Sequence, residues 1–266
     1  SKVDTLRILN SEFIGNGETG GIINSTGYSR IAGIGVGHNG SDGVQITGGD
    51  KLIVERASLQ THHNTALRID SLKIIILQRL NIANNGSGIK LSNFDSLSVS
   101  NSFFTANQEN AIDIRNGNQL IVSQNLIREN KVGLLMENIL NVIIASNKIE
   151  SNTSGTDFRS IPTLRLKKNV WDRNLSASYF SDIGLIESES DLWLSNSETA
   201  IEVLSAADFI LSNAKMINNK QACLFNTVSV KMNSCQLDSS RGYAVKLMNS
   251  SLLAEESKFQ RNNISI

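Results

Sequence analysis

The stretch GLLMENILNVIIASNKIESN, residues 133–152, decides the fold. Leu134 and Met136 form one inward pair, Val142 and Ile144 a second, and Ile149 belongs to a third segment. Apolar residues two apart, over four or five positions, mark a strand with one covered face. Asn147 and Asn152 sit at the breaks, where asparagine's tolerance of left-handed backbone angles suits a tight turn. A unit this small cannot bury its own apolar side. Stacked copies can, at a strand spacing of about 4.8 Å, and stacking also pairs the backbone groups with the units above and below.

Such copies run along the chain. A small residue followed by an apolar one recurs at Gly43-Val44, Ala66-Leu67, Gly88-Ile89, Ala111-Ile112 and Gly133-Leu134. It returns at Ala200-Ile201, Ala222-Cys223 and Ala244-Val245, and the steps within each run are 22 or 23 residues. The gap from Gly133 to Ala200 is close to three periods, so the register persists through a poorly matching stretch. Inward positions include Ile89 with Leu91, Ile112 with Ile114, Leu97 with Val99 and Leu120 with Val122. The third strand supplies Ile82, Phe104, Ile127, Leu237 and Phe259. The expected fold is all-β, a parallel β-helix with three short strands per coil and roughly ten or eleven coils. An α-helical solenoid would need apolar spacings of three and four, a left-handed β-helix a six-residue period, and a leucine-rich repeat its leucine consensus. None is present.

Composition agrees. The chain has a single proline, Pro162, as expected where nearly every backbone N–H serves a ladder. Hydrophobic residues make up 40% and aromatic residues 5%, so aliphatic side chains must fill the core. Lys+Arg and Asp+Glu both number 25, which argues against a nucleic-acid partner bound through its phosphates. No apolar run is long enough to span a membrane. Cys223 and Cys235 fall at different positions of one coil and form neither a disulfide framework nor a metal pattern. Gly33-Ile-Gly-Val-Gly-His38 is followed by strands and lacks a phosphate-loop lysine, so tight turns explain its glycines. The asparagines 13–14 and 19 residues after the marker, such as Asn101, Asn125 and Asn213, then Asn107 and Asn130, read as turn formers able to stack as amide ladders. His62-His63 reads as surface.

In these repeats the chain resembles the pectin-lyase-like family of right-handed β-helices, over about residues 6–152 and 192–263. The resemblance implies a right-handed solenoid and one domain over residues 1–266. It implies little about activity, because the family holds polysaccharide lyases, hydrolases, epimerases, tailspikes and non-catalytic scaffolds. The family's paired-aspartate hydrolase motif, its Asp-Pro-His epimerase motif and its calcium-binding acidic cluster are all absent here. Residues 153–191, with Pro162, Lys167-Lys168 and Trp171, are expected to form irregular coils with enlarged loops. The chain starts and stops within a coil and shows no capping helix, so it reads as a segment of a larger protein.

Two surfaces stand out. Positions two and four after the marker face outward and bring Arg68, Asp70, Lys90, Asp113, Arg115 and Glu137 onto one patch. A uronan lyase would use Lys90 or Arg115 as base, with Asp113 beside them. Arg68, Asp70 and Glu137 would hold substrate, and calcium is the one cofactor such chemistry would admit. The alternative is a solvated face of paired charges. The second strand offers an apolar stripe, Ile53, Ile75, Ile121, Ile143 and Ile210, as a surface for a protein partner or self-association. Trp193, assigned to that face, would stack on a sugar ring. Two functions follow: a carbohydrate-directed module binding an extended polysaccharide, with lyase or epimerase activity as its extension, or a non-catalytic adhesive stalk or protein scaffold. Either fits an extracellular or cell-surface protein.

Overall fold

The computed structural model describes residues 3–264, and among them every regular element is a strand. The chain falls into two compact units, one ending at Lys131 and the other beginning at Val132. Each contains six short strands, one per coil, where the sequence suggested ten or eleven coils in all.

In the first unit the long strands Gly21–Ala32, Val44–Glu55, Thr65–Gln78, Ser87–Ser100 and Asn110–Ser123 pair in parallel, in chain order, after Val3–Leu9. The short strands Glu12–Ile14, Gly35–Gly37, Ser58–Gln60, Asn81–Ala83, Phe103–Thr105 and Leu126–Arg128 form a separate parallel sheet. The second unit repeats the plan with Val132–Ala145, Ser154–Lys167 and Ser176–Glu189. Beyond these its long strand divides, first into Thr199–Val203 and Ala206–Ser212.

The expected first and second strands are thus halves of one strand bent at a single residue. That residue is Ser71, Asn93 or Asn116 in successive coils, each at φ between 55° and 60°. Two further corners also use the left-handed region, as at Arg79 and Asn84 in the coil that begins at Thr65. Three such corners turn that coil back upon itself, and the same three recur in most of the others. Many of these residues are not asparagine: Thr61, Arg79, Ala106 and Glu129 take the same angles. Stacking therefore imposes a conformation that costs an isolated L-residue about 1–2 kcal/mol.

Register stacks like on like. Val44, Leu67, Ile89 and Ile112 form one buried column, and Leu52, Ile75, Leu97 and Leu120 another. The marker residue is small because its neighbour leaves no room. A Cβ on Gly88 would lie 2.2 Å from the Ala111 carbonyl oxygen.

Residues 153–191 are regular coils, contrary to the expectation of enlarged loops. Ser154–Lys167 and Ser176–Glu189 are full fourteen-residue strands in register. The repeat is hidden because the position after the marker carries Thr156 and Ser178, both buried, in place of an apolar residue. Trp171 and Trp193 in the short strands fill the volume that these small residues leave. Their rings stack at 4.8 Å and 2°, and the Trp193 indole donates to Ser178 Oγ at 2.9 Å. Trp193 is therefore core and unavailable to a sugar.

The asparagines at 107, 130 and 152 stand in buried ladders. Asn85 donates Nδ2 to Asn107 Oδ1, and Asn107 donates to Asn130 Oδ1 at 2.9 Å. In the second unit Asn152, Asn174, Asn196 and Asn219 continue the pattern among themselves. Asn101 and Asn213, by contrast, are exposed corner residues with positive φ. His62, expected at the surface, is buried within the first unit's ladder, because the corner it follows is at Thr61.

Candidate functional site

The outward face of the first unit's long strands carries the polar patch. The half of each strand before the bend alternates strictly, so Leu67, Ile69, Ile89 and Leu91 anchor the backbone inside while their neighbours project outward. The parallel register then sets two rows. Arg68, Lys90 and Asp113 are direct neighbours across three coils, and so are Asp70, Ser92 and Arg115. Together they border a shallow depression of about 470 Å³.

Most of these groups are held in place. Arg68 Nε donates to Asp42 Oδ2 at 2.8 Å, and the same oxygen accepts Gln45 Nε2. Burial opposes the charge on Asp42, but bonds from Arg68, the Thr65 amide and Gln45 outweigh it and keep the carboxyl below the usual range. Asp70 accepts from Ser92 Oγ at 2.6 Å, Asn93 Nδ2 at 2.7 Å and Ser71 Oγ at 2.8 Å. These bonds likewise outweigh burial and hold Asp70 ionised. Asp113 is buried beneath Arg115, whose Nε donates to it at 2.9 Å, and Asn110 donates to its other oxygen. Lys90 differs. Among the described residues it has no salt-bridge partner, although it stands between Arg68 and Asp113.

Within the first unit five of the six expected patch residues come together. Glu137 lies in the second unit, beside Arg159 in the register. Asp42 and Ser92 were not anticipated as members. Ser92 sits in the outward row, four residues after Gly88, and was legible as an outward residue; Asp42 precedes its marker and reaches Arg68 from the turn.

The apolar stripe is real only in part. Ile53, Ile121, Ile143 and Ile210 face outward, and Ile121 is 44% exposed. Ile75 is core, and Ile76 takes the outward place opposite Ile53. In the second unit Arg165 and Glu187, paired at 2.7 Å, occupy the positions between Ile143 and Ile210. Among the described residues no three His, Cys, Asp or Glu side chains are grouped to hold a metal ion, and no helix is long and apolar enough to cross a membrane.

No curated protein sequence matches the chain. Among solved structures it is similar to DFA-IIIase from Arthrobacter chlorophenolicus A6, crystallised without its lid. The identity is 13%, the TM-score 0.58, and the match covers 88% of this chain and 68% of that one. At that identity the likeness speaks for the fold alone. Residues 65–188 match the family described as right handed beta helix region, so the stacked coils seen here are those of a right-handed parallel β-helix.

Proposed function

We propose that the chain is a carbohydrate-directed β-helix that binds an extended polysaccharide across the coils carrying Arg68, Lys90 and Asp113. The observation that carries this is the pair of in-register rows, Arg68–Lys90–Asp113 and Asp70–Ser92–Arg115. They offer donors and acceptors at strand spacing, about 4.8 Å, along a direction in which a linear chain of hydroxyl-bearing rings could run. The internal bonds fix their directions beforehand, which lowers the ordering cost of binding. The proposal goes beyond the likeness to DFA-IIIase, which is one of fold, and takes from it only that a β-helix of this kind serves there as the frame of an enzyme. An extracellular or cell-surface setting goes with it.

Binding is better supported than cleavage. A general acid needs a carboxyl kept protonated near neutral pH. Asp70 is held ionised by its hydrogen bonds. The test is incubation with a panel of neutral and acidic polysaccharides, with and without calcium, followed by mass spectrometry. Retention without shortened products, lost in Lys90→Ala, is the expected result. Unsaturated or shortened products would establish an enzyme instead. Neither, on folded protein, would overturn the proposal and favour a scaffold working through the exposed isoleucines.

A further inference from the structure

His62 occupies a ladder position that Asn85, Asn107 and Asn130 fill in later coils of the first unit. Its backbone N–H donates to Asn85 Oδ1 at 3.0 Å, as an asparagine's would. Its ring works differently. Nδ1 accepts the Asn39 backbone N–H, at 3.4 Å, so the neutral ring carries its proton on Nε2. Nε2 is buried and has no hydrogen-bond partner. The ring packs flush against the turn below: a Cβ on Gly43 would lie 2.8 Å from Nε2.

A second proton is poorly placed here: the Val36 backbone is an acceptor beside the ring, but the ring nitrogen that would take the proton is already held by the Asn39 N–H. Protonation would add N–H at Nδ1, directly facing the Asn39 N–H, and would exchange the ring's one hydrogen bond for two opposed donors. The titratable groups facing the ring are Asp42 and His38, both from the preceding coil; Asn85, from the following one, is neutral. Asp42 favours the cation, but its oxygens are already engaged by Arg68, Gln45 and the Thr65 amide. Burial is the largest influence and opposes the cation, as does His38; it outweighs the Val36 backbone and Asp42, which favour the cation, and the ring's pKa is lowered.

We propose that His62 is an acid-sensitive latch whose protonation expels the ring from the ladder and loosens the turn that carries Asp42, the partner of Arg68. The latch acts in the interval below the ordinary histidine range. Above it the neutral ring completes the ladder. As pH falls, the unlatched state takes up a proton that the latched state refuses, so latching weakens. The inference stands whether or not the patch binds a glycan.

The experiment is hydrogen exchange by mass spectrometry on the whole chain, following peptides that cover residues 36–43 and 60–66 between about pH 7.5 and about pH 5. Rates are corrected for the intrinsic effect of pH. Protection in these peptides should fall by about tenfold or more in the wild type, while His62→Asn, which restores the ladder residue, should stay flat. Equal profiles in the two proteins, or no fall in the wild type, would overturn the latch. Should His62→Asn not fold, NMR titration of the wild type decides. His62 must then titrate together with a shift of the Asn39 amide. Titration near about pH 6.5 with that amide unmoved would refute the idea.

Discussion

The carboxylate of Asp191 stands where the ladder above it has asparagine: its Oδ1 accepts both the Asn169 backbone N–H at 2.6 Å and the Asn169 amide at 2.9 Å. Its Oδ2 accepts Ser188 Oγ at 2.7 Å. Burial outweighs these bonds and a further one from the Glu189 backbone, and the pKa is raised to about 6. The folded protein therefore holds a proton that the unfolded chain has released between about pH 4 and about pH 6. Over that interval stability falls as pH rises, by roughly 3 kcal/mol in total. Asp191→Asn keeps the acceptor and removes the charge. It should raise stability above about pH 6 and abolish this slope, as read by denaturant unfolding at a series of pH values. A variant less stable than wild type at neutral pH would contradict the account.

The two tryptophans should respond differently to the same substitution. Trp193 has a partner for its indole N–H in Ser178, whereas the buried Trp171 N–H has none. Phenylalanine at 171 loses packing but also removes an unsatisfied donor. It should cost about 1–2 kcal/mol less than phenylalanine at 193, which strands the Ser178 hydroxyl. Thermal unfolding of the pair checks this, and neither substitution should change polysaccharide retention.

Position within the coil, rather than residue type, decides what an asparagine is worth. Asn107→Ala removes the acceptor of two bonds from Asn85 and the amide donor to Asn130, all buried. A loss of about 2–4 kcal/mol is expected. Asn101→Ala touches an exposed corner at φ 52° and should cost about 1 kcal/mol through the left-handed backbone alone. Urea midpoints that coincide for the two would refute the ladder's importance.

At the patch, Asp113→Asn weakens the bond that Arg115 Nε makes to the Asp113 carboxylate. The guanidinium then has more orientations open to it, and binding must restrict them. Polysaccharide retention should weaken severalfold, with a larger loss in Lys90→Ala, whose ammonium has no ion pair to break first. Titration calorimetry with the retained polysaccharide measures both. Unchanged affinity in Lys90→Ala would remove the central residue of the proposed site.

Residue spacing alone determined the stacked coil, its 22-residue period and the outward row of Arg68, Lys90 and Asp113, because a short coil with one apolar side is stable only against copies of itself. Where alternation lapsed, tertiary structure decided. Residues 74–77, Ile-Ile-Ile-Leu, are all apolar, so their pattern has no phase; the bend at Ser71 sets it, turning Ile75 inward and leaving Ile76 outside. Trp171 and Trp193 belong to the core only because Thr156 and Ser178 lie opposite them. The salt bridge from Arg68 to Asp42, 26 residues earlier, and the burial of His62 likewise depend on which turn lies beneath which strand. Periodicity fixes that a coil repeats; only the packed neighbour fixes how each side chain of the coil is used.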